Sequence, residues 1–275
     1  MTNNTQRVLT GIVGAPLVVL IMYAGGIPFA VLVLAIALIA QYELYRLMEQ
    51  GGLQPQRVAG LVLGVLVVLH PLVPWFLALT LAGFLVLIAA SPFHTGDKQP
   101  LHNLSATVFG VIYPSGFLAF LLSLRTARGV FVDDIEAFYL TLTTILLVWA
   151  ADTFAYFVGR SFGKHKLAPS VSPKKTWEGS AGGALGALLV AVVLKLTLLG
   201  FVDWIHILVI ALICGIVSQL GDLAESKMKR SVGAKDSGAI LPGHGGLLDR
   251  FDAMILASPL VYLYLDLVAR LFEQP

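Results

Sequence analysis

The chain has 275 residues, of which 57% are hydrophobic and only 12% charged, with a net charge of +2. Soluble domains carry roughly 25% charged residues, so this composition excludes one and predicts an integral membrane protein. The small net charge gives no ground for nucleic-acid binding. The single cysteine, Cys214 inside an apolar run, excludes an intrachain disulfide framework or a thiolate metal cage and reads as a small buried hydrophobe.

The first apolar run follows MTNNTQR and shows no A-x-A cleavage pattern, so it reads as an uncleaved anchor. Runs close to the length of about 20 residues that spans a bilayer fall at 8–24, 27–45, 58–73, 75–90, 106–124, 136–158, 179–199, 204–222 and 251–271. Stretches such as VLVLAIALIA are apolar on every face, without the alternation of a barrel strand. The predicted fold is therefore an all-α polytopic membrane protein of about nine transmembrane helices. The third and fourth runs are short and joined by His70 to Pro74, which allows a tight hairpin or a re-entrant pair.

The cations order these runs across the membrane. Nine crossings place 14 Lys and Arg residues on the side of the N-terminus, against Arg125, Arg128 and Arg270 on the other, with Lys195 inside the seventh run. Positive residues collect in cytoplasmic loops, so the N-terminus and the catalytic loops are expected in the cytoplasm. No internal repeat or low-complexity tail is evident. The apolar runs of residues 1–148 carry few charges, so that segment is predicted to be a transmembrane scaffold, and 149–275 the catalytic region, within one integrated membrane unit.

Chemistry concentrates in the second half. In WADTFAYFVGRSFGK, Asp152, Tyr156 and Gly159 fall on one helical face. An ionisable group inside an apolar helix faces a polar cavity or a partner, so Asp152 and Tyr156 are candidates for substrate contact, with satisfaction by neighbouring helices as the alternative. In the following loop Lys164 and Lys166 read as snorkelling or topological charges. SPKKTWEGS reads as a Ser-Pro turn and a Lys pair before a helix, with Glu178 where the helix dipole favours an anion. Lys174 and Lys175 are candidate phosphate contacts. Gly179, Gly182, Gly183 and Gly186 have the spacing that lets helices approach closely, which favours packing over nucleotide binding.

The eighth run ends in SQLGDLAES, with Asp222 and Glu225 one turn apart. After it comes the most informative stretch, Ser226 to Asp252: SKMKRSVGAKDSGAILPGHGGLLDRFD. Cations, carboxylates and glycine-freed backbone together suit a magnesium-bound polyphosphate. Carboxylates at Asp222, Asp249 and Asp252 could converge, with substrate oxygens and water, on a Mg²⁺ ion. A salt-bridged surface, with Asp249 on Lys235 or Arg250, is the alternative. His244 reads as a phosphate donor, a proton donor to a leaving group or a loop histidine. The remaining histidines lack ligand spacing, so zinc is not expected.

The Ser226 to Asp252 stretch resembles the signature of the phosphatidate cytidylyltransferase family, through Ser226, Lys229-Arg230, Lys235-Asp236, Gly238, Pro242, His244-Gly245-Gly246, Asp249-Arg250 and Asp252. WADTFAYFVGRSFGK, SPKKTWEG and SQLGDLAES are similar to its other recurring stretches, so the resemblance covers residues 149 to 252. It implies that CTP and phosphatidic acid give CDP-diacylglycerol and pyrophosphate in phospholipid biosynthesis. It implies Asp222 and Asp249 as metal ligands for Mg²⁺ and a second cation, K⁺, with Asp236 and Asp252 in support. The catalytic set is then Asp222, Lys229, Arg230, Lys235, Asp236, His244, Asp249, Arg250 and Asp252. Substrate binding falls to Asp152, Tyr156, Lys174, Lys175, Lys229, Arg230, Lys235 and His244.

The expected setting is a lipid bilayer, a homodimer and a bacterial inner membrane. Two other readings compete. A transporter of a phosphorylated solute would account for Asp152 and Lys195 inside the membrane, although inverted repeats are not evident. A CTP-dependent kinase of a membrane alcohol would use the same cations but release CDP.

Overall fold

The computed structural model describes residues 3–90, 99–126, 133–238, 240 and 245–269, with side chains over 14–267 of these. His94, Lys98, Arg128, Pro242, Gly243, His244 and Arg270 lie outside the described residues. The chain forms α1 Asn3–Ala24, α2 Gly26–Gln50, α3 Arg57–Leu69 and α4 Trp75–Ala90. These are followed by α5 Pro100–Thr126, α6 Asp134–Phe162, α7 Trp177–Thr197 and α8 Trp204–Ser231. The last, α9 Leu248–Leu263, passes into a widened π turn over Tyr264–Ala269.

Each predicted apolar run falls on one of these helices, although the third run leaves the helix after Leu69 and the seventh after Thr197. Of these helices, α2, α5, α6, α7 and α8 are long and apolar enough to cross a membrane, whereas α3 and α4 have only 13 and 16 residues. An all-α membrane protein is the fold, with one exception between α6 and α7. There β1 Lys166–Ala168 pairs antiparallel with β2 Ser172–Thr176, Lys166 opposite Thr176 and Ala168 opposite Ser172. The Ser172-Pro173 pair is thus part of a strand and not the predicted turn, which lies at 169–171. A two-stranded ribbon leaves both of its outer edges open, so the missing N–H of Pro173 is tolerated. A second correction concerns α8, which runs to Ser231. Asp222 therefore lies within a helix rather than at its end, and Ser226, Lys227, Lys229 and Arg230 are helical rather than in a loop.

The structure divides into two compact units, Met1–Leu122 with Lys229–Arg250, and Ser123–Met228 with Phe251–Pro275. In the first, α2, α3 and the middle of α5 are joined by buried polar groups. Gln41 Nε2 donates to Tyr45 Oη at 3.0 Å and to the Gly60 carbonyl at 2.8 Å. Tyr45 Oη donates to the Thr107 carbonyl at 2.8 Å, and Ser115 Oγ to Gln41 Oε1 at 2.6 Å. Lipid-facing helices gain little from apolar contact alone, so such bonds and small residues fix their packing. Gly60 and Gly110 make room for the Tyr45 ring, which a Cβ on either would strike.

In the second unit α6 and α7 lie against each other along their glycines. A Cβ on Gly179 would sit 2.8 Å from the Ala155 carbonyl, one on Gly183 2.8 Å from the Ala151 carbonyl, and one on Gly182 2.6 Å from Val158. Lys195, the intramembrane cation that suggested transport, has a structural job instead. Its Nζ donates to the carbonyls of Leu199 and Gly200, each at 3.1 Å, and stands 5.8 Å from the Trp204 ring centre. Carbonyls after a helix C-terminus attract a cation, so its charge is satisfied locally.

Gly183→Ala is expected to lower the melting temperature of the detergent-solubilised protein, because overpacking costs about 1–3 kcal/mol. Gly200→Ala, which meets nothing within 4 Å, should leave it unchanged; equal melting temperatures for both would contradict the close approach of α6 and α7.

Candidate functional site

A cavity of about 570 Å³ opens within the second unit. That volume suits a ligand of nucleotide size. Its wall is built by α6 through Asp152, Tyr156, Gly159 and Arg160, by the hairpin through Lys166, Lys174, Lys175 and Thr176, by α7 through Gly179 and Ser180, and by α8 through Gln219 and Asp222. The three residues predicted to share a face of α6 all reach it, as do both lysines of SPKKTWEGS.

The hairpin is tied down at its base. Thr176 caps α7, its Oγ1 accepting from Gly179 N at 3.1 Å. Glu178 in the first turn accepts from the backbone N–H groups of Lys164 at 3.1 Å and His165 at 3.2 Å, and bonds His165 Nδ1 at 2.6 Å. The predicted anion at this helix start thus holds the loop before it. The hairpin presents Lys175 Nζ to Asp222 Oδ2 at 2.6 Å, while Ser226 Oγ donates to Asp222 Oδ1 at 3.1 Å. Arg160 donates to Tyr156 Oη at 3.1 Å, and Gln219 Nε2 to the Ser180 carbonyl at 3.0 Å.

Four cations and two carboxylates therefore line one cavity. Sequence reasoning missed Arg160, Lys166, Thr176, Ser180 and Gln219 on its wall. Thr176 carried a signal, a capping residue directly before an apolar run, and Gln219 is a polar residue one turn from Asp222. Lys166 carried none, since a cation beside a membrane helix reads as topology until the strand pairing sets it on the cavity wall.

In the first unit a second constellation surrounds Asp249. Lys229 Nζ donates to Asp249 Oδ1 at 2.6 Å, and each of these side chains is 10% exposed. Ser237 N donates to Oδ1 at 3.2 Å and Oδ2 at 3.0 Å, and Gly246 N to Oδ2 at 3.0 Å. Burial alone would raise the Asp249 carboxyl, but Lys229 and the two amides outweigh it and hold it below the usual carboxylate range. The partner of Asp249 is thus Lys229, neither Lys235 nor Arg250. Gly245 adopts φ +82°, a left-handed turn that favours glycine. Asp236 lies beside it, its Cβ and Oδ1 each 4.0 Å from where a Gly245 Cβ would stand. Arg230 donates to the Ala234 carbonyl at 2.9 Å and, like Lys235 and Arg250, is exposed. Asp252 is buried in the second unit, and Gly221 packs against its backbone carbonyl.

One residue of this constellation had no place in the sequence reading. Glu43 of α2 is buried, and its Oε2 accepts from Ser237 Oγ at 3.1 Å and from Leu248 N at 2.8 Å.

Among the described residues, no three His, Cys, Asp or Glu side chains cluster as a metal cage. Magnesium is commonly held by one or two carboxylates with substrate phosphates and water. Asp152 and Asp222 on one cavity wall meet that requirement with hard oxygen donors, and the cations beside them suit the phosphates.

The sequence matches the cytidylyltransferase family over residues 5–268. It is 34% identical to a phosphatidate cytidylyltransferase of Bacillus subtilis, over 97% of this chain and 99% of that protein. It is 36% identical to one of Brucella abortus, over 96% and 94%, and 33% identical to one of Staphylococcus aureus, over 94% and 98%.

Removing the α7 cap in Thr176→Ala is expected to cost about 1 kcal/mol and to speed proteolysis of the hairpin, whereas Thr176→Ser keeps the acceptor and wild-type resistance. Equal resistance of both variants would contradict the capping role.

Proposed function

Because the chain belongs to the cytidylyltransferase family, we propose that it is a phosphatidate cytidylyltransferase, which joins CTP and phosphatidic acid into CDP-diacylglycerol and pyrophosphate. The observation that carries this reading is the cavity where Arg160, Lys166, Lys174 and Lys175 stand beside Asp152 and Asp222. Such a wall neutralises phosphates while offering oxygen ligands to a hard cation.

In the proposed reaction a phosphatidate oxygen attacks the α-phosphorus of CTP in line. The bond from that phosphorus to the bridging oxygen breaks, and pyrophosphate carries the electron pair away. A phosphate monoester has a second pKa near 6, so at neutral pH the nucleophile is already mostly dianionic and needs no dedicated base. The chain's task is then positioning and charge neutralisation. Lys174 and Lys175 contact phosphate in the cavity, with Asp152 and Tyr156 beside the lipid headgroup. Lys229, Arg230, Lys235 and Arg250 serve as further phosphate contacts, Asp236 and Asp252 support them, and His244 donates to a phosphate or leaving group.

Asp222 and Asp249 are the residues we assign to hold cations. Mg²⁺, when bound, would supply neutralisation of charge on the phosphate oxygens. The cavity wall of Asp152 and Asp222 supports it at Asp222, whereas the assignment of Asp249 and of K⁺ as a second cation rests on the family resemblance. The wider reading has nine crossings, a cytoplasmic N-terminus and catalytic loops, a scaffold role for residues 1–148, a homodimer and a bacterial inner membrane. The cation asymmetry of the sequence supports the orientation.

Asp222→Ala and Asp249→Ala are expected to abolish turnover in protein that still melts cooperatively, and retained Mg²⁺-dependent activity in Asp249→Ala would sink the metal assignment. Lys235→Ala should raise KM for CTP more than it lowers kcat; unchanged kinetics would remove it from the phosphate contacts.

A further inference from the structure

Glu43 is a buried ionisable group that the proposed mechanism leaves unused. It lies in α2, is 2% exposed, and is 194 residues from Ser237 and 205 from Leu248, the two donors to its Oε2. Among the described residues its Oε1 has no hydrogen-bond partner. A carboxylate taken out of water and only half satisfied is costly, and an apolar side chain would fill the same place in a membrane helix without that cost.

Its contacts explain what it does there. Leu248 is the first residue of α9, and the N–H groups of a helix's first turn have no partner within the helix. Glu43 supplies one from another helix, with its negative charge at the positive end of the α9 dipole. Ser237 is held from two sides: its hydroxyl donates to Glu43 and its amide to both oxygens of Asp249. Gly246 repeats the pattern, its amide on Asp249 Oδ2 while a Cβ there would stand 2.6 Å from Glu43 Oε2. A Cβ on Gly238 would strike Glu43 Oε1. Both backbone donors that fix Asp249, together with the helix start that carries it, therefore rest against one carboxylate.

We propose that Glu43 is a positioning residue for the reaction, which sets the orientation of Asp249 by clamping Ser237 and the start of α9 from the opposite side. The inference rests on the reading that Asp249 serves the reaction. It also accounts for Gly238 and Gly246 by close approach to Glu43 rather than to a phosphate.

The test uses the full-length protein in detergent, with Glu43→Ala, Glu43→Gln, Ser237→Ala and Asp249→Ala compared by hydrogen exchange and by steady-state kinetics with CTP and phosphatidic acid. Glu43→Ala is expected to speed exchange in the peptides containing Ser237 and Gly246 to Leu248, while those of α6 and α7 keep wild-type protection. Its kcat should fall by about 10–100-fold, the usual effect of losing a group that orients a ligand, with KM for phosphatidic acid unchanged. Glu43→Gln retains an acceptor for both donors and should restore most of the turnover. Ser237→Ala, which removes one hydroxyl, should shift exchange and kcat in the same direction as Glu43→Ala and decides the matter where that variant loses protection throughout. Wild-type kcat in Glu43→Ala and Ser237→Ala, with Asp249→Ala inactive, overturns the inference alone. A Gln variant as defective as Ala overturns the acceptor role, and full turnover in Asp249→Ala overturns the reading of Asp249 and with it the link between Glu43 and the reaction.

Discussion

A carboxylate drawn partly or largely out of water is stabilised by a positive charge or several hydrogen bonds beside it, and at two places here that partner is a lysine. Lys175 stands on Asp222 and Lys229 on Asp249, each at 2.6 Å. Much of the rest follows from holding these pairs in place. The first requires a rigid hairpin, hence the cap at Thr176 and the anchor at Glu178. The second requires fixed backbone donors on Asp249, hence Ser237 and Gly246 held against the buried acceptor Glu43.

Glycine serves both constellations through absence of side chain. Along α6 and α7 it brings two helices close enough for Tyr156, Arg160 and Ser180 to share one cavity wall with the hairpin and α8. Around Asp249 it lets the main chain pass against Glu43 and Ser237. Membrane helices gain little from apolar contact with each other, so local steric fit and a few buried polar bonds decide where the ionisable groups end up.

Much of this was legible in the sequence, and for a physical reason. Apolar runs of membrane length report themselves through composition, so the helices fall where hydropathy placed them, and the face shared by Asp152, Tyr156 and Gly159 follows from helical periodicity alone. The departures come where local pattern and tertiary contact part. The hairpin at 166–176 is too short and too cationic for strand alternation to stand out, so Lys166 read as topology. The helical continuation to Ser231 was hidden because a polar segment after an apolar run looks like a loop, although α8 keeps its hydrogen bonds beyond the apolar stretch. Glu43 was invisible for a different reason: it is one of two carboxylates in a largely apolar helix, and its partners lie some two hundred positions away. No spacing within one sequence encodes that pairing. The ligand roles proposed for Asp222 and Asp249 rest on the family's motif, with oxygen-donor chemistry alone pointing only to carboxylates and a hard cation.

The central claim is that the cytidylyl group of CTP ends on the lipid. It is tested most directly by supplying the purified, solubilised protein with phosphatidic acid, Mg²⁺ and CTP labelled in the cytosine ring, then separating lipid from water-soluble products. The account expects lipid-extractable label with one pyrophosphate released for each label transferred. Label left in water as CDP would contradict it in favour of phosphoryl transfer from the γ-position, and intact CTP in folded protein would contradict the nucleotidyl-transfer reading altogether.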